Sequence, residues 1–235
     1  MASRLVPQWL GRCILITKRL LLDTGYVRSG RADRIVDAEG RPLPWYTFPA
    51  IGYLSSLDLS SARVLEFGSG SSTLYWERRT RAVVAVEHDE EWYQALRSSV
   101  DERTTYLLAT DEESYVSPRA GSDPFDVIVI DGIHRQRCAQ TAVKVRAPGG
   151  IIVLDNSDWA PAVARSIRST GLIQIDFPGF GALLSHTCVT SIFIDGSRPP
   201  PLLPDAPLLP PGASKFSHSM RHLVATKPET FGSWL

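Results

Sequence analysis

Glycines and carboxylates at the ends of apolar runs are the residues of this chain with the most chemistry to offer. The first set is Glu66-Phe67-Gly68-Ser69-Gly70-Ser71-Ser72-Thr73. Glycines at 68 and 70 permit a tight turn and a close backbone approach to a ligand, and the helix that follows offers free N–H groups. A strand-to-helix turn needs glycine in any case, so this turn alone decides little. Position 73 is Thr, so the third glycine that favours a dinucleotide pyrophosphate is missing. Glu87 ends the next apolar run, 19 residues past Gly68. An acid at that distance can accept both hydroxyl protons of a ribose. Neither Lys nor Arg stands in the turn, and Glu66 repels phosphate but suits an amino group. Turn and acid together point to an adenosine-containing ligand with a cationic end.

The second set is Asp131-Gly132-Ile133-His134 followed, one run later, by Asp155-Asn156. Two carboxylates and an amide oxygen at neighbouring strand ends are hard ligands of the kind that suit Mg²⁺. The same residues have plainer readings. Asp and Asn are good helix caps, and His134 also fits as a surface residue at a helix start.

These residues need elements to hold them. From residue 62 onward, short β-branched runs alternate with helical stretches. Strands are expected at 64–67, 82–87, 105–108, 127–131, 151–155, 172–177 and 189–195, and helices at 72–79, 90–100, 136–145 and 161–169. That alternation implies an α/β fold, a doubly wound, mostly parallel sheet with right-handed crossovers. The runs VIVID and IIVLD are apolar throughout, as strands covered on both faces should be. The last two strands lack a convincing helix between them and read as a closing hairpin that sets one antiparallel strand into the sheet. Ligands of such sheets bind at the carboxyl ends of the strands, where both sets fall.

VLEFGSGSST, VVAVEHD, FDVIVIDG and GGIIVLDN, in this order and spacing, resemble the class I S-adenosylmethionine-dependent methyltransferases, with a seven-stranded Rossmann-like sheet, over residues 45–195. The resemblance implies that Glu66 and the Gly68–Gly70 turn, Ser69 included, hold the methionine moiety, and that Glu87 binds the ribose. It places His88 and the Thr110-Asp111 region near the adenine and Asp131 near the methyl group. Ser72 replaces a third small glycine, a departure this family tolerates. The strand-end residues also look like those of the catechol and caffeoyl-CoA type O-methyltransferases. There an Asp (here Asp131) and an Asp-Asn pair (here Asp155 and Asn156) hold a divalent ion, and a base stands where this chain has His134. D-G-x-H is similar, too, to the macrocin-type sugar O-methyltransferases. S-adenosylmethionine is thus the implied cofactor, Mg²⁺ a second, and a small hydroxyl-bearing acceptor the implied partner. A non-catalytic cofactor-binding scaffold and a nicotinamide oxidoreductase are the rivals.

Composition limits the rest. At 235 residues, 43% hydrophobic and 21% charged, the chain is globular and long enough to need no disulfide or structural metal. Lys+Arg and Asp+Glu both number 25, so nucleic acid is not the expected partner. The three cysteines, Cys13, Cys138 and Cys188, have no metal-type spacing and fit a reducing, cytoplasmic setting. Three segments are expected: a basic N-terminal part (1–44), the methyltransferase domain (45–197) and a Pro-rich tail (198–235). In the first, residues 9–22 read as a basic amphipathic helix, interpretable as a packed cap, a membrane or lipid contact, or a presequence. The aromatic stretch 44–49, Trp159 and Phe180 are candidates to shape an acceptor pocket. Acceptor and oligomeric state are not legible.

Overall fold

The computed structural model describes residues 7–32, 34–118 and 121–204. Three helices precede the first strand: α1 (Gln8–Lys18), running into a π turn at Arg19–Asp23, α2 (Tyr26–Ala32) and α3 (Phe48–Ser55). Then follow β1 (Arg63–Phe67), α4 (Ser71–Glu77), β2 (Ala82–Glu87), α5 (Glu90–Arg97), β3 (Thr105–Leu108), α6 (Glu112–Val116), β4 (Phe125–Ile130), α7 (Arg135–Val145), β5 (Arg146–Leu154), α8 (Pro161–Arg168), β6 (Ile173–Phe180) and β7 (Thr187–Ile194). They build one seven-stranded sheet in the order β3-β2-β1-β4-β5-β7-β6. β1 to β5 pair in parallel, and β7 runs antiparallel to both β5 and β6. The α/β architecture and the closing hairpin are as the sequence implies.

Alternate side chains of each strand go to opposite faces, so the sheet makes two cores. Val64, Val127, Val129, Ile151 and Val153 pack under α3 and α4 with Tyr46, Leu54 and Trp76. Leu65, Phe67, Ile128, Ile130 and Leu154 pack under α6, α7 and α8 with Tyr115, Cys138 and Ile167. β4 and β5 are buried on both sides, which is why they read as unbroken apolar runs.

α3 is a helix that the sequence analysis missed. Thr47 caps it, accepting from the Ala50 amide, and Pro49 occupies its first turn. Its sequence, FPAIGYLS, is too apolar and too short to show a helical period. α6, five residues long, was missed for length alone. The hairpin strands extend further into the connecting loop than expected. The beginning of the Pro-rich segment wraps back on the fold: Asp58 donates to the Pro201 carbonyl and Leu203 to that of Ser56, at 2.9 Å each. Most of that tail lies outside the described residues.

Candidate active site

β1 ends in Phe67, and the chain turns at Gly68, whose φ is +93°. The turn lies back to back with the one after β4. A Cβ on Gly68 would stand 2.9 Å from the Gly132 amide nitrogen, and one on Gly132 would strike the Tyr115 hydroxyl. Phe67 O accepts from the amides of Asp131 and Gly132, at 3.0 and 2.8 Å. The two strand-end turns are therefore one unit, and it fixes where Asp131 starts.

Glu87 is buried beside this unit. Its Oε2 accepts from the amide and hydroxyl of Ser69, at 3.2 and 2.6 Å, and its Oε1 from the amides of His88 and Asp89, at 2.8 and 2.9 Å. Ser69 Oγ also lies 2.8 Å from Tyr106 Oη. A ribose diol reaching Glu87 would exchange for Ser69, while the backbone amides keep the carboxylate aimed. Trp92 covers the turn, with its indole N–H 2.9 Å from the Ser69 carbonyl. Gly68, Ser69, Glu87, His88, Asp89, Trp92, Asp131 and Gly132 line a cleft of about 300 Å³.

Glu66 and Ser72 are buried on the other side of the turn. Thr73 Oγ1 donates to Glu66 Oε2 at 2.6 Å and accepts from the Gly70 amide at 3.1 Å. Burial pushes the Glu66 carboxyl up to about 7, the hydroxyls of Ser72 and Thr73 offsetting only part of the cost. Its Oε1 has no hydrogen-bond partner among the described residues, and neither have the buried Tyr46 Oη and Trp76 Nε1. The Tyr46 phenol is pushed up by burial and then by the charges of Glu66, Asp131 and Asp155.

Asp155 is held by a polar chain that crosses three elements. Thr190 Oγ1, on β7, donates to Asp155 Oδ1 at 2.5 Å and accepts from the Thr47 amide at 3.1 Å. Thr47 Oγ1 in turn donates to the Phe177 carbonyl at 2.8 Å. Burial raises Asp155 to about 6. Asp131 is raised well above the usual carboxylate range by burial and by Asp155, with Arg135 pulling the other way. Arg135 reaches back from α7 to donate to the carbonyls of Gly132, Asp155 and Asp131 and approaches Asp131 Oδ1 at 3.5 Å.

The metal set is not gathered. Among the described residues no three His, Cys, Asp or Glu side chains converge as ion ligands. Arg135 sits against Asp131, Asp155 Oδ1 is taken by Thr190, and Asn156 turns at φ +46°. A guanidinium already supplies the positive charge between the two strand ends, so these residues do not fit a divalent cation. Millimolar Mg²⁺ or EDTA is therefore expected to leave the melting temperature unchanged in a thermal scan. A Mg²⁺-dependent rise would show that the pair opens to an ion.

The two remaining expected residues stand apart from the acids. His134 adopts φ +49° at the start of α7, its Nδ1 is 3.4 Å from Glu112 Oε1, and its ring contacts Tyr115, which also contacts His88. Asp111 is exposed and caps α6, accepting from the Ser114 amide at 2.9 Å. It does not line the cleft. Tyr46 falls in the aromatic stretch 44–49 expected at the acceptor pocket, whereas Trp92, Arg135 and Thr190 were not anticipated as members of the site. Only Trp92 left a sequence signal, an aromatic three residues after the Asp89 cap and just past the ribose acid.

A parallel sheet with one inserted antiparallel strand, carrying a glycine turn, a ribose-type acid and a buried acid beside the turn, defines the class I methyltransferase fold. Residues 65–157 match a family model described as a methyltransferase domain. The fold is similar to that of a candidate O-methyltransferase from Klebsiella pneumoniae, with TM-score 0.51 and 19% identity over 74% of this chain and 89% of that one. It is similar also to a methyltransferase from Pyrococcus furiosus, with TM-score 0.50 and 17% identity over 77% and 98%. At these identities the likeness speaks to fold. No curated protein matches the chain.

Proposed function

We propose that this protein methylates a hydroxyl of a small molecule. The observation that carries the reading is the presence of Glu66, Asp131 and Asp155, each with raised proton affinity, at the ends of adjacent strands, with Arg135 the one guanidinium set between the two aspartates. Such a site is short of positive charge. S-adenosylmethionine supplies an electrophilic methyl on a sulfonium sulfur and brings an ammonium with it, two positive charges in one ligand.

Glu66 would receive the ammonium through its unpartnered Oε1. The Gly68–Gly70 turn admits the ligand backbone closely, and Glu87 exchanges Ser69 for the ribose hydroxyls. Asp131 would take the acceptor's hydroxyl proton as the O–CH₃ bond forms in line with the breaking S–CH₃ bond, so that the oxygen attacks with a free lone pair and the sulfur leaves as a neutral thioether. Its raised proton affinity makes it a stronger base than an ordinary carboxylate. Arg135 and Thr190 position the two aspartates, and alignment of acceptor and methyl does most of the remaining work.

Calorimetry with S-adenosylmethionine and NAD⁺ tests the reading: binding to the sulfonium compound alone supports it, and binding to neither favours the scaffold. A screen of phenols, sugars and lipids then supplies the acceptor. With that acceptor, Asp131→Asn is expected to lower kcat by about a hundredfold at little changed KM, whereas His134→Ala stays close to wild type. The reverse order moves the base to His134.

A further inference from the structure

The rest of the protein leaves one helix uncovered. On α1 and the π turn, Trp9 is 65% exposed, Ile14 57%, Leu15 58%, Ile16 66% and Leu22 49%. At about 100° per residue, Ile16, Trp9, Leu10 and Ile14 share one arc of α1, and Arg12, Lys18 and Arg19 take the opposite one, with Leu15 among them. Residues 7–32 hold five cations (Arg12, Lys18, Arg19, Arg28 and Arg31) against a single anion, Asp23, although the chain as a whole is neutral. Packing against another protein element would explain the apolar arc but not the excess of cations around it. An anionic bilayer accounts for both, taking the apolar side chains into the acyl boundary, the cations among the headgroups and the Trp9 indole at the interface.

We propose that α1 docks this protein onto an anionic lipid bilayer, lying in its surface. Among the described residues no helix is long and apolar enough to cross one. α2 fastens the docking helix to the loop between β6 and β7, through Tyr26 Oη on the Leu184 carbonyl at 3.5 Å and Gly30 against Leu183. That loop is at the carboxyl edge of β5, because β7 runs antiparallel to β5. Docking therefore holds the edge that carries the candidate site close to the lipid. The inference stands whether or not the site transfers methyl groups.

The test is co-sedimentation of the full-length protein with vesicles of phosphatidylcholine alone or mixed with phosphatidylglycerol. Binding is expected to the mixed vesicles, to fall with salt, and to weaken about fivefold for each cation lost in Arg12→Gln and Lys18→Gln. Ile14→Asp with Ile16→Asp is expected to abolish it. S-adenosylmethionine calorimetry on the same variants checks that the fold is intact, since α1 is outside both cores. Equal sedimentation with both vesicle types, or with neither, overturns the proposal. So does a concentration-dependent dimer in light scattering that the aspartate pair dissolves, which would make the face a contact between copies. Failure of cofactor binding with vesicle binding retained counts against the methyltransferase reading alone.

Discussion

Glu66→Gln is expected to raise the melting temperature of the ligand-free protein at pH 8 by several degrees and to weaken S-adenosylmethionine binding by about a hundredfold. Both effects come from the same burial. Folding lifts the carboxyl from 4.5 to about 7, so the folded state holds the proton more tightly than the unfolded chain. Below pH 4.5 both states are protonated and burial carries no ionic penalty. As pH rises through the window from 4.5 to about 7 the unfolded chain ionises first and stability falls; above it the full cost, roughly 3 kcal/mol, is in place. Glutamine keeps an oxygen for Thr73 and carries no charge, so the gain appears only above that window. The ammonium of the cofactor, however, loses its anion. Wild-type affinity should accordingly rise from pH 5 to pH 8, with protons released on binding, in calorimetry repeated in two buffers. A variant that binds normally would remove Glu66 from the site; one no more stable at pH 8 would refute the burial cost.

The second large effect is expected at the joined turns. Gly68→Ala places an L side chain at φ +93° and drives its Cβ to 2.9 Å from the Gly132 amide nitrogen, a backbone atom. Strain and clash together should cost about 3 kcal/mol, read as a shift in the urea midpoint. Because relief requires the Gly132 turn to move, Asp131 moves with it, and cofactor affinity should collapse as well. Gly70→Ala is the control: its φ of 167° is extended, and the nearest atom, on Trp92, is 3.9 Å from the added carbon. It should stay within about 0.5 kcal/mol of wild type. Similar losses in both variants would mean that the turn tolerates no side chain for reasons other than this contact.

What the sequence made legible and what it hid separate along physical lines. β4 and β5 were readable because strands buried on both faces must be apolar at every position, and the glycine turn and Glu87 because strand ends are fixed once strands are. Side-chain direction was not readable. Asp155 and Asn156 are neighbours in sequence, yet Thr190 holds the carboxylate while Asn156 turns at φ +46°. Arg135 lies just before the helix expected at 136–145; its role comes from reaching back across two strand ends, a tertiary arrangement with no local signature. Tyr46 lay in an aromatic stretch whose exposed and buried members alternate, Trp45 at 51% and Tyr46 at 0%. Only packing distinguishes them.

The strand order also has a consequence for synthesis. β5 finds one neighbour in β4, already made, but its other neighbour is β7, whose residues 187–194 leave the ribosome well after β5 is complete. Until then the apolar run 151–154 of β5 presents an open row of amides and carbonyls, the state in which strands recruit other chains. The β6–β7 hairpin must arrive as a pair and close that edge, with Thr190 meeting Asp155 only at that moment. Completion of the sheet and completion of the acidic cluster are thus one late event in the life of the nascent chain. A message truncated within the hairpin would yield an aggregating fragment, not a shortened enzyme.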